Sequence, residues 1–441
     1  MKKSIVLLLC FVLLFSVFIT GCSNDTEKNG ADPVDSNEAG EIKGEITFST
    51  WGSLEEKKVN EDIIKAFEAK YPGTKVNLEY IPDEYTTKVE TMFLGGNPPD
   101  VVYGHPRYFT KWASQGLLMD LTDRFNENPE LLDDSLYITS LYDAFTYDGK
   151  KIATVNGADT FLIFFNKDLF DEADVEYPNE NWTWADLVEA AKKLTIIEDG
   201  KPKQFGISVG GWYPLVQTYM FSHGGKWYDD MNQPTDVLFN SPESVEALQL
   251  MQDLIFKHKV APSSSDLEVL GGGFDNGKIA MDITGVWAIV YRMGIEDFEW
   301  DLADIPVPSV GMERKTSCLY AGYAIPKSTK NPELAWEFAK FMQSEEGQKL
   351  LASSGLITVI NRKIAESDEV LKVEGAPENH YLRVSSLDYA EHNDALLTNW
   401  EETLAKVFDP NIQLLLNNEQ DAKTTAEKIH QGLEEMLKAA K

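Results

Sequence analysis

Between residues 45 and 103 the chain changes its hydrophobic period again and again, and this alternation constrains the fold more than any other feature. Residues 45–50, Glu-Ile-Thr-Phe-Ser-Thr, alternate and are rich in β-formers, which predicts a strand. Val59, Ile63, Ile64 and Phe67 then fall on one face of a helix, which Tyr71-Pro72-Gly73 ends. A second strand is expected over 76–81 and a second helix over 84–94, stopped at Gly95-Gly96. Residues 100–103 form a short apolar third strand. Strand, helix, strand, helix, strand predicts an α/β chain with parallel pairing and right-handed crossovers.

The pattern continues downstream. Residues 160–166 enclose the run Phe161-Leu162-Ile163-Phe164-Phe165, a buried strand. Thr183, with Asp186 three residues on, caps a helix to Leu194. Ser241-Pro242-Glu243 opens a helix to about residue 258, and Asn331-Pro332-Glu333 opens another to about 342. Residues 422–440 are amphipathic and helical. A chain of 441 residues exceeds one compact domain, so two α/β lobes are expected, with no fixed-period repeat.

Charge narrows the function classes. There are 40 Lys+Arg against 72 Asp+Glu, a net charge of −32. Such a surface repels phosphate backbones and anionic lipids, which argues against nucleic-acid partners and electrostatic membrane docking. At the start, Lys2 and Lys3 precede an apolar run from Ile5 to Ile19 that is short for a membrane span. Ile19-Thr20-Gly21-Cys22 resembles the lipobox of bacterial lipoproteins. The resemblance implies a signal peptide over 1–21 and a diacylglycerol on the Cys22 thiol, a lipid anchor outside the cytoplasm. Residues 22–44, poor in large apolar side chains, read as a flexible tether.

Cys10 would leave with the signal and Cys22 would be acylated, so Cys318 stands alone and no internal disulfide is expected. The six histidines show no ligand spacing, and neither a metal nor a cofactor is expected. Gly271-Gly272-Gly273 lacks the Lys and Ser/Thr of a phosphate loop and reads as a turn. No nucleophile or zinc-peptidase motif is present, so no catalytic residue is assigned and no enzymatic activity is expected. The aromatics say more: 10 Trp and 17 Tyr, with Trp51, Trp212, Trp227 and Trp287 where loops should follow strands. Each could be core or could face a ligand. Aromatic plates with polar groups at their rim suit the apolar C–H face and hydroxyls of a sugar.

Several stretches, in order, resemble the extracellular solute-binding proteins of bacterial ABC importers, the group containing maltose-binding protein. They are Thr50-Trp51-Gly52, the run 95–102 (Gly-Gly-Asn-Pro-Pro-Asp-Val-Val), 165–170 (Phe-Asn-Lys-Asp-Leu-Phe), Trp182-Thr183-Trp184, 274–281 followed by Gly285-Val286-Trp287, and 321–327. The likeness runs over residues 45–441. It implies a type II periplasmic-binding-protein fold, with two lobes, a hinge and an interlobe cleft. The crossings would lie near 153–155, near Thr316 and near 361–365. One lobe would then hold 45–154 plus 316–362, the other 155–315 plus 363–441.

From the same resemblance, Trp51, Gly52 and Ser53 should face the cleft, although Ser53 replaces the acidic residue of maltose-type proteins. Gly104, His105 and Arg107 match a contact loop; His105 could instead be a buried loop residue, and Arg107 a surface charge. Asn156 and Asp159 follow the first crossing, Asp159 as hydroxyl acceptor or hinge cap. Trp212, Trp287, Tyr320 and Trp400 complete the expected site, Trp400 being either a stacking residue or core. The expected function is capture of a mono- or oligosaccharide for an ABC permease by a monomer. A polyol or glycerophosphate ligand, for which Arg107 and Arg362 are the candidate cations, and a surface-anchored glycoside hydrolase or adhesin are the alternatives.

Overall fold

The computed structural model describes residues 42–440. The signal segment, Cys22 and all but the end of the tether therefore lie outside the described residues.

The first five elements form as the alternation predicts: β1 (Gly44–Thr50), α1 (Leu54–Lys70), β2 (Thr74–Tyr80), α2 (Tyr85–Leu94) and β3 (Val101–Gly104). β1 lies between β2 and β3 and pairs with both in parallel. α1 buries Ile63, Ile64 and Phe67 against the sheet side and leaves its charged face to water. α3 (Pro106–Ser114) follows β3 directly.

Beyond β3 the sheet continues through Thr316–Ala324 to the strand Thr154–Asn166, then to Ile279–Gly285, Lys201–Ile207 and Ile196–Glu198. The strand Thr154–Asn166 joins the halves. Its first part, Thr154 to Thr160, pairs antiparallel with Thr316–Ala324. From Phe161 it pairs instead with Ile279–Gly285 and with Trp300–Ala303. All of its residues are buried.

The apolar side chains gather into two large cores. The first holds Phe48, Phe67, Val102, Phe109, Trp112, Ala158, Tyr323 and Trp336. The second holds Phe161, Trp184, Tyr219, Trp227, Met281, Trp400 and Phe408, closed by the helix Ala422–Ala440. Ala153, Val155 and Ala158 all pack in the first core, so the chain changes core between Ala158 and Phe161, later than the expected 153–155. It returns between Ile305 and Cys318. Ile364, Ala365 and Val370 still belong to the first core, and Ala395 to the second. The last change thus comes after the expected 361–365. A strand buried on both faces shows no alternation, so its sequence carries no mark where its partners change.

The helix starts follow local chemistry. Thr183 caps Trp184–Leu194 in a reciprocal box with Asp186, and Ser241 caps Pro242–Phe256. Gly271 closes a helix in the left-handed region at φ 66°, a turn as expected.

Candidate functional site

The loop after β1 is shaped by Gly52 and Ser53. Ser53 caps α1: its Oγ accepts from Glu56 N (3.3 Å), and Glu56 Oε2 accepts from Ser53 N (2.5 Å). The sequence Ser53-x-x-Glu56 carries this capping box, a signal legible without the structure. Gly52 has φ +124°, and a Cβ there would lie 2.3 Å from Glu56 Oε2. The Ser53 hydroxyl is thus partly committed to the helix, while Glu56 puts a carboxylate next to it. Burial raises the Glu56 carboxyl above its ordinary range.

Trp51, half-buried, packs against Tyr85 (4.8 Å between centroids), Tyr103 (4.4 Å) and His105 (5.3 Å). Gly104 lets the chain pass Phe109, whose ring would come within 2.7 Å of a Cβ. His105 Nδ1 donates to the Tyr320 carbonyl at 2.7 Å. Burial, aided by Arg107, pulls its pKa down to about 4. One ring nitrogen of His105 is therefore committed to the backbone. The Tyr320 ring is buried and stacks on His392 (4.8 Å, 7°).

On the other side, Trp212 sits at the start of the helix Tyr213–Ser222 and is 49% exposed. Trp287 follows the strand Ile279–Gly285 and meets Phe161 edge to face at 5.5 Å and Trp212 at 6.1 Å. Ring contacts and Arg107 join the two groups. Trp51 touches His105, His105 lies 5.9 Å from Tyr108, and the Arg107 guanidinium lies 4.5 Å from the Tyr108 ring. Arg107 Nη1 donates to Tyr213 Oη at 3.1 Å, and Tyr213 is the neighbour of Trp212. Trp51, His105, Arg107, Trp212 and Trp287, which span 236 sequence positions, are thus linked in space.

Arg107 is no free surface charge. It also donates to Asp394 (3.2 Å) and Glu401 (2.6 Å). Asn156 Oδ1 accepts from Tyr323 Oη (2.8 Å), and Asp159 Oδ1 accepts from Thr358 N (3.1 Å). Burial lifts the Asp159 carboxyl to about 7, against the pull of Arg383. Trp400 is 1% exposed and packs on Trp227 (5.4 Å) and Tyr213 (6.1 Å). It is a core residue in this structure, and so is Trp227. Phe239 and Phe408 close over Trp227, and Tyr213, Trp227 and Tyr228 over Trp400.

Sequence reasoning missed Asp394, Tyr213, Tyr291 and Arg383. The Tyr291 phenol, half exposed, lies within reach of the Ser53 side chain. Arg383 is buried near Asp159, with Nη1 3.4 Å from His380 Nε2 and Nε without a hydrogen-bond partner. Of these only Tyr213, beside Trp212, carried a signal. A cavity of about 600 Å³ opens at the far end of the helix Tyr213–Ser222, lined by Trp227, Tyr228, Asp230, Lys315 and His392. None of the expected site residues lines it. No group of His, Cys, Asp and Glu among the described residues is arranged to hold a metal.

Comparison with known proteins gives this arrangement a context. Residues 51–349 match the bacterial extracellular solute-binding proteins. The chain belongs to that family. The arabinooligosaccharide-binding protein of Bacillus subtilis is 26% identical over 366 residues, 80% of this chain and 79% of that one. An ABC substrate-binding protein of Listeria monocytogenes, solved in complex with cycloalternan, is 29% identical. Its TM-score is 0.78, with 90% of this chain and 99% of that one covered. Maltose-bound MalE3 of T. maritima shares the fold, with TM-score 0.72 at 22% identity over 89% and 99% of the two chains. This solute-binding protein therefore has the type II fold, two lobes joined at a hinge with a cleft between them. Trp51 packs against the first core and Trp287 against the second. The family is one of ABC-importer binding proteins. No helix among the described residues is long and apolar enough to cross a membrane.

Proposed function

We propose that this solute-binding protein captures a mono- or oligosaccharide between its lobes and delivers it to an ABC permease, by binding and without catalysis. The observation that carries the reading is the pair of aromatic groups, Trp51 on the first lobe and Trp212 with Trp287 on the second. Indole faces stack on the C–H face of a pyranose or furanose ring, and flanking polar groups meet its hydroxyls. Asn156, Asp159 and Tyr291 are the polar candidates. The relatives that bind arabinooligosaccharide and cycloalternan support the same ligand class.

A phosphate-bearing ligand is less well supported. Arg107 is already neutralised by Asp394 and Glu401, and Arg362 pairs with Asp134 on the surface. Lobe closure around bound sugar follows the hinge-type transition. A thermal-shift screen against arabinose, maltose and their oligomers tests the reading, because a ligand that binds only the folded state raises the melting temperature. A flat response across neutral sugars, with a rise for glycerophosphates, would reverse the ranking. Release of reducing sugar from any of these oligomers would show a hydrolase instead.

The proposed working form is a monomer, held outside the cytoplasm by lipid on Cys22. Cys22→Ala should leave the precursor unprocessed or release it from the membrane fraction. Normal processing with membrane retention of that variant would remove the anchor from the proposal.

A further inference from the structure

Arg107 and Asp394 are carried by different lobes. α3, which bears Arg107, buries Phe109 and Trp112 in the first core. Asp394 is followed by Ala395, Leu397 and Trp400, all of the second core, to which Tyr213 also belongs. Asp394 is fully buried and accepts from three donors: Arg107 Nη1 (3.2 Å), Tyr213 Oη (2.7 Å) and Trp400 Nε1 (3.3 Å). Two of these come from its own lobe and hold the carboxylate in place. The third comes across the boundary. Glu401, seven residues on in the helix Trp400–Thr403, accepts a hydrogen bond from Arg107 Nε at 2.6 Å. Tyr108 receives the remaining Nη2 and lies under the guanidinium plane. Every nitrogen of the planar arginine fork thus donates, with its Nη1 and Nε turned to the second lobe.

We propose that Asp394 is the socket of an interlobe clasp, and that Arg107 seated in it holds this protein in its closed arrangement. The reading rests on the proposed capture of sugar by lobe closure. In this role Arg107 spends its donors on Asp394, Glu401, Tyr213 and Tyr108 and acts on sugar affinity through the lobe equilibrium. Asp394 is a positioning residue. A binding site that needs both lobes gains affinity in proportion to the fraction of molecules already closed. Opening the lobes pulls Arg107 out of a preformed acceptor set, which opposes opening. The clasp therefore slows release more than it speeds capture.

Small-angle scattering of the ligand-free full-length protein tests the proposal, comparing wild type with Asp394→Asn, Glu401→Gln and Arg107→Gln. Each variant should show a larger radius of gyration than wild type. Arg107→Gln combined with Asp394→Asn should open no further than Arg107→Gln alone, since loss of the guanidinium already breaks the contact to Asp394. Glu401→Gln acts at a half-exposed side chain and keeps the test valid should Asp394→Asn fail to fold, which circular dichroism reports. Titration with maltotriose and arabinotriose adds a second readout. Whichever binds wild type should bind the variants about tenfold more weakly, mostly through faster dissociation. Ligand-free radii equal to wild type in folded Asp394→Asn and Glu401→Gln would overturn the clasp. Absence of sugar binding by wild type would instead sink the carbohydrate reading and leave the scattering result standing.

Discussion

Gly285 and Trp287 share one volume: a Cβ built on Gly285 would lie 1.8 Å from Cζ3 of Trp287. The indole folds back over the glycine that precedes it and is braced by Phe161 and Trp212. The Gly-x-Trp spacing is therefore a steric requirement for this indole position. Gly285→Ala must push the ring away, and overpacking of this kind costs about 1–3 kcal/mol. Sugar affinity should fall together with the melting temperature. Calorimetric titration that finds wild-type affinity in Gly285→Ala would show that the indole position does not matter for binding.

Trp287→Ala removes the aromatic face and leaves Gly285 uncovered. Loss of stacking and of its buried area should weaken sugar binding by roughly 1–3 kcal/mol, about fivefold to 150-fold. Trp287 is only half-buried, so the fold should survive. Unchanged affinity, measured beside a normal melting curve, would exclude Trp287 from the site.

Trp400 makes the opposite forecast. It lies in the second core and donates to Asp394. Trp400→Ala should cost about 3–5 kcal/mol of folding stability, as large core truncations do. Denaturant unfolding of the second lobe is the check, and a variant as stable as wild type would contradict the core assignment.

Three histidines set a pH dependence. Burial lowers His105, His380 and His392 from 6.5 to about 4. Between pH 4 and 6.5 the unfolded chain therefore binds protons that the folded one refuses. Their contribution to stability is complete above 6.5 and is lost as pH falls toward 4, by up to about 1.4 kcal/mol per pH unit for each. Melting temperatures should rise steeply from pH 4.5 to 6.5. A flat profile in which His105→Gln and His392→Gln behave like wild type would refute this.

Asp159 works in the reverse sense. Burial raises its carboxyl from 3.8 to about 7, so the folded protein holds a proton that the unfolded chain releases. Its contribution is present below pH 4 and is lost as pH rises to 7. Asp159→Asn, which keeps an acceptor for Thr358, should gain on wild type as pH increases across that window. Parallel stability curves for the two proteins would show that Asp159 ionises freely.

How much was legible in the sequence follows from the range of the forces involved. β1, α1, β2, α2 and β3, the capped helix Trp184–Leu194 and the helix Ala422–Ala440 were readable because period and capping act over a few residues. The aromatic residues of the proposed site were readable for the same reason, since Trp51, Trp212 and Trp287 sit where strands give way to loops or helices. Which tryptophan keeps a bare face was not. The burial that leaves Trp287 half-exposed and Trp400 at 1% exposure comes only from the side chains that pack around each one. The change of core between Ala158 and Phe161 was hidden because the strand Thr154–Asn166 is buried throughout. Arg107 and Asp394 meet across 287 positions of chain. No local pattern records that pairing, because it exists only once two separately packed cores bring one guanidinium and one carboxylate to the same place.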